Sequence, residues 1–383
     1  MSVEPYREIC FDQDGDGPPG QAPALAALAR QGVSDLFLLA HGRNGSPSGA
    51  TRLCSDFFAP FPGLLAPGAE AGYAGVVWPS AVFTGEPGRD HRALATVLPE
   101  KEPVLERLTG LLASGPAREA EFAEFGALLR ELADVADAGG PVPAFLVADP
   151  VEVCGRFAEA LDPDLPEGPE RYRRGAREAL RQTAHHVLGR RAGHVGEHGL
   201  GPLLGEVARA APGLRVHLVG HGAGARLVAY ALRGLPAGTR PVASVTLLQG
   251  SFSHYAFAAR LPHAPERAGA LRGLELRIRG PLVVCHSRHD AALGVLYPMA
   301  SRLADDPGPI GADDPRRGAI GHDGARAVPG TVARSLAAVL RTGVPGAGCV
   351  NVDTAEVVRS HDDLCRPELA RVVVSASGTG RQR

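Results

Sequence analysis

Lysine is almost absent: Lys101 is the only one in the 383 residues, so the 40 basic side chains are nearly all arginine. No Gly-Lys-Ser/Thr occurs, which excludes a Walker-type phosphate loop, because the lysine that reaches the phosphates is missing. The net charge is −2, with acids and bases interspersed, so the chain has no basic face. Nucleic acid and anionic membrane surfaces are therefore set aside as partners. The six cysteines are scattered and form no C-x-x-C pair. They predict reduced, mostly buried thiols, with neither a disulfide framework nor a zinc ribbon. No apolar run reaches about 18 residues, and the N-terminus has no basic n-region followed by an apolar stretch. A soluble, cytoplasmic protein is the expectation.

What the chain does have is glycine (49) and proline (33), which punctuate short apolar runs. Asp35–Ala40, Gly75–Trp78, Leu214–His221, Val242–Leu248, Pro281–His286 and Cys349–Asp353 have the length and composition of buried strands. Helical spacing separates them at 23–31, 50–58, 202–209, 331–340 and from Pro367. Helix alternating with buried strand predicts an α/β fold with a mostly parallel central sheet flanked by helices. Arg7–Phe11 is expected to be an edge strand. Between Ser80 and Leu214 the alternation stops, and amphipathic helices are predicted at 119–136 and 171–188, joined to the next helix by a Gly/His-rich segment (RRAGHVGEHGLG). Residues 1–80 and 191–383 are thus expected to form the core, with 81–190 a helical lid or cap insertion. No metal or cofactor is expected. The acidic turn at 12–16 lacks the closing glutamate of a calcium loop, and His185, His186, His194 and His198 match no ligand spacing.

The chemistry centres on Gly220-His221-Gly222-Ala223-Gly224, a sharp turn from strand into amphipathic helix. It has the spacing of a nucleophile elbow, G-x-S-x-G, with glycine at the centre. The same letters satisfy a dinucleotide turn, G-x-G-x-x-A, at Gly220, Gly222 and Ala225. That alternative needs an acidic residue after the next strand, where Leu248-Gln249-Gly250 offers none. Other polar residues follow apolar strands at His41-Gly42, Ser251, Asp290 and His361. Strand ends of an open α/β sheet converge on one crevice, and position 222, Asp290 and His361 stand in the chain order nucleophile, acid, histidine.

On LLAHG (38–42), VWPS (77–80), HLVGHGAGARLV (217–228), HSRHDAALG (286–294) and SHDDLCRPE (360–368), the chain resembles bacterial α/β-hydrolase-fold proteins of the serine hydrolase or esterase type. The resemblance implies that Asp290 orients His361, that His361 acts as general base, and that Ala223 and a residue just after Gly42, taken as Arg43, supply oxyanion-hole N–H groups. His41, Gly42, His221 and Ser251 would line the pocket. Gly222 departs from the pattern, since glycine leaves the acyl-enzyme route without an attacking atom. A pseudoenzyme with a degenerate triad is the leading expectation, binding a small acyl or apolar ligand or a protein partner. A hydrolase with a substitute nucleophile such as Ser251, or a His/Asp base acting without a covalent intermediate, stands as the alternative.

Overall fold

The structure is a computed structural model and describes residues 1–381 apart from 43–45, 85, 137–141, 303 and 305–313. Its strands are β1 (Tyr6–Cys10), β2 (Asp35–Ala40), β3 (Ala71–Val77), β4 (Arg215–His221), β5 (Val242–Leu248), β6 (Pro281–His286), β7 (Val332–Ser335) and β8 (Gly348–Asp353). They form one sheet in the order β1-β3-β2-β4-β5-β6-β8-β7 with every pairing parallel. The principal helices are α1 (Gln21–Arg30), α2 (Pro47–Phe58), α3 (Pro87–Val97), α4 (Glu102–Ser114), α5 (Glu119–Leu132), α6 (Pro150–Leu161), α7 (Pro169–His194), α8 (Gly201–Ala210), α9 (Ala223–Gly234), α10 (Leu336–Thr342) and α11 (Pro367–Ser377).

The chain divides into two compact units. One, residues 1–79, 191–291 and 319–383, contains the whole sheet. Strand β2 illustrates why its strands are continuously apolar: Leu36, Leu38 and Ala40 join α1, α8 and α9 on one face, while Phe37 and Leu39 join α2 and α11 on the other. Alternate side chains must be apolar on both sides when both faces are covered. The second unit, residues 80–190 and 292–318, is helical and has its own core, including Leu108, Phe125, Leu132 and Phe157. The expected boundaries put 292–318 with the sheet. Leu296 and Met299 are instead buried in the helical core, which assigns that excursion to the helices.

Two further expectations are corrected. The Gly/His-rich joint is not a break: α7 runs into a π-helical segment, Val195–Leu200, and directly on into α8. Its glycines serve close packing, since a Cβ at Gly196 would lie 2.1 Å from the Leu227 carbonyl oxygen of α9. The helix predicted at 331–340 begins late, because Val332–Ser335 pairs with β8 and the Ser335 hydroxyl then accepts from the Ala338 N–H to start α10. Among the described residues no helix is long and apolar enough to cross a membrane.

The topology fixes where a site can form. After β2 the chain moves to β3 on one side, while β4 lies against the other side of β2. This reversal is a topological switch point, and in open parallel sheets ligands bind beyond the carboxyl ends of the strands at such a point, here β2 and β4.

Candidate active site

Strand β4 ends at His221, and the helix α9 starts at Ala223, so the whole reversal falls on Gly222. Its backbone, φ 55 and ψ −116, lies where an L side chain is strained. The flanking glycines meet a different demand. A Cβ at Gly220 would approach the Ala225 Cα to 2.5 Å, and one at Gly224 would approach the Ala40 carbonyl oxygen to 2.2 Å. Tight contact between the first turn of α9 and the ends of β2 and β4 thus requires both. Gly222 N–H donates to the Leu248 carbonyl at 3.0 Å, and its own carbonyl accepts from Ser251 N–H at 3.1 Å. The elbow is held against the end of β5 by one peptide group and against the loop that follows β5 by the other.

Asp290 follows β6 and is fully buried, and His361 follows β8 in the polar loop at 360–363. The imidazole Nδ1 lies 2.7 Å from Asp290 Oδ2, and the histidine side chain is 10% exposed. A carboxylate accepting at Nδ1 fixes the tautomer and leaves the lone pair on Nε2. That nitrogen faces the elbow, 2.9 Å from where a Cβ at position 222 would stand. Position 222, Asp290 and His361 are therefore brought together.

Several neighbours hold this geometry. His221 places Nε2 2.8 Å from the His361 carbonyl oxygen, with the two rings 5.0 Å apart. It acts as a strut under the histidine loop. Gly42 is needed beside it, since a Cβ there would meet His221 Nδ1 at 2.9 Å. The loop is further tied by Asp363, whose Oδ2 accepts from the N–H groups of Arg359 (2.7 Å) and Ser360 (2.9 Å). Ser287 holds the other approach, donating to the Val358 carbonyl at 2.7 Å. Gln249, buried and at φ 43, reaches the Asp363 carbonyl through Nε2 at 3.3 Å.

The remaining predicted residues divide. Ala223 opens α9, where its backbone N–H belongs to the unsatisfied donors of a helix start and is available to an oxyanion. Ser251 sits beside the elbow through its backbone bond to Gly222. His41 is buried, its ring stacked 5.8 Å from Trp78 and its Nδ1 3.1 Å from the Gly42 carbonyl oxygen. Burial lowers its pKa to about 4, so it is neutral at pH 7 and packs as a core ring. Arg43 lies outside the described residues.

Sequence reasoning missed a second polar cluster. Asp323 takes His254 Nδ1 at 2.8 Å and His322 Nδ1 at 2.9 Å. The burial that would raise the Asp323 pKa is outweighed by these two imidazoles, which hold the carboxyl far below its usual range. Its residues lie 69 and 1 positions apart, and only the fold joins them. Among the described residues no group of three or more His, Cys, Asp or Glu could hold a metal ion.

No family model, curated protein or solved structure matches the chain. Its reading therefore rests on its own residues and fold.

Proposed function

We propose that the chain is an α/β-hydrolase-like protein with a degenerate triad, which binds a small acyl-type or apolar ligand at the elbow and forms no acyl-enzyme. The observation that carries this reading is the position of His361. Its Nε2 is aimed at the place where a nucleophile's side chain would begin, 2.9 Å from a Cβ at residue 222, and the imidazole is anchored behind by buried Asp290. Residue 222 offers no oxygen for that imidazole to activate. The same placement argues against a dinucleotide, whose pyrophosphate approaches the backbone at the second glycine of the turn. What supports ligand binding is the switch point between β2 and β4, together with the helix start at Ala223 beside it.

Hydrolysis of p-nitrophenyl acetate and butyrate tests the reading. The expected result is no pre-steady-state burst, and a rate for wild type no higher than for Ser251→Ala. A burst that disappears in Ser251→Ala would instead assign a substitute nucleophile.

The 2.7 Å contact between His361 and Asp290 favours one second reading, in which the dyad acts as a general base on a bound ligand or a water. A turnover without a burst, lowered roughly 10²-fold or more by His361→Ala, is its signature. Equal rates in the two proteins would reject it.

A further inference from the structure

The helical unit holds a partly open cavity of about 300 Å³ between α3, α4, α6 and α7, a volume at the lower end for small-molecule sites. Its walls are largely apolar, with Leu94, Leu105, Leu112 and Leu180 deep and Phe83 and Leu161 nearer solvent. Two polar atoms on this lining are out of place. His91 Nε2 and Arg177 Nε are both buried and make no hydrogen bond. A buried donor without an acceptor is costly, and native structures rarely keep one without a purpose.

The charges around the cavity are otherwise engaged. Arg181 pairs with Glu178, Arg174 pairs with Asp162, and Asp90 accepts from the Thr84 N–H and hydroxyl. Arg177 has no acidic partner among the described residues. Among the described residues of this lining, Arg177 Nε and His91 Nε2 thus stand without a partner at the side of an apolar chamber. We propose that this cavity binds a single-chain amphipathic carboxylate, with the chain among the leucines and the carboxylate accepting from Arg177 and His91. A guanidinium is suited to this, because it binds carboxylates by charge-assisted, directional bonds. This site is independent of the elbow, and its failure would leave the reading of Gly222 untouched.

Titration calorimetry of the full chain with decanoate, decanol and decyltrimethylammonium is the test. Decanoate is expected to bind, decanol about tenfold or more weakly, and the cation not at all. Arg177→Met should bring decanoate down to the level of decanol, and Arg177→Lys should recover part of the loss. Silence of decanoate up to about 1 mM, the weak end of small-ligand affinity, would overturn the proposal. So would equal affinity for decanoate and decanol, a comparison on wild type that stands even if the Arg177 variants fail to fold. Sedimentation with phosphatidylglycerol vesicles separates the sources of such a group: the chain should stay in solution, and co-sedimentation abolished by decanoate would assign a lipid in place of a free carboxylate.

Discussion

Gly222 joins two properties that a serine would set against each other: a backbone at φ 55 and an imidazole 2.9 Å from the place of a Cβ. Gly222→Ser and Gly222→Ala should each lose roughly 1–3 kcal/mol in chemical denaturation, because both strain the turn and press on His361. Little loss would mean that the ring yields freely. His41 gives a pH prediction. Its pKa is near 6.5 in the unfolded chain and about 4 in the fold, lowered by burial. Between those values the unfolded chain binds the extra proton, so stability falls as pH drops from about 6.5 to about 4. His41→Phe should lessen that loss by about 3 kcal/mol, measured as the difference in denaturation free energy between pH 7 and pH 4. His217 and His286, also held low by burial, titrate in the same direction in both proteins and cancel in the comparison. At this scale the sequence pointed to Gly222, Asp290 and His361, because each lies in the segment that follows an apolar strand. The supports were not legible in the same way. His221 ends one apolar strand and Gln249 follows another, but their partners, at 361 and 363, are over 100 residues distant.

The run from α7 through the π segment into α8 shows how an element can be misread from composition. Glycine and histidine together suggest a joint, yet the backbone stays helical from Pro169 to Ala210. Gly196 and Gly201 are there because α9 passes within contact of their backbones, and a Cβ at Gly201 would lie 2.6 Å from the Ala231 carbonyl oxygen. Local sequence holds no trace of that partner. Gly189 in the same helix has open space around it. Gly189→Ala should therefore stabilise by roughly 0.5–1 kcal/mol through helix propensity, whereas Gly196→Ala should destabilise by roughly 1–3 kcal/mol through overpacking. Thermal or denaturant unfolding of the pair checks this, and effects of the same sign would refute the packing account. Strand β7 was missed for the opposite reason, since three of its four side chains are exposed and it has no apolar pattern to detect.

For the whole molecule, strand alternation was enough to predict a mostly parallel α/β sheet, and the break after Ser80 coincides with a run of helices. The order of the strands was not readable, because parallel pairing is set by crossovers and by which face each helix covers. That order nevertheless makes the site, since it brings the ends of β2 and β4 side by side and leaves β6 and β8 to deliver Asp290 and His361. Central β2, β4 and β5 are covered on both faces, so their amides should exchange most slowly with deuterium, ahead of edge strands β1 and β7. We propose that the Asp290–His361 dyad at the elbow lacks a nucleophile at position 222. Intact-mass spectrometry after treatment with a fluorophosphonate tests it most directly, on wild type and Gly222→Ser side by side. Wild type should keep its mass and Gly222→Ser should gain one adduct, lost again in Gly222→Ser/His361→Ala. An adduct on wild type, or none on folded Gly222→Ser, would contradict it.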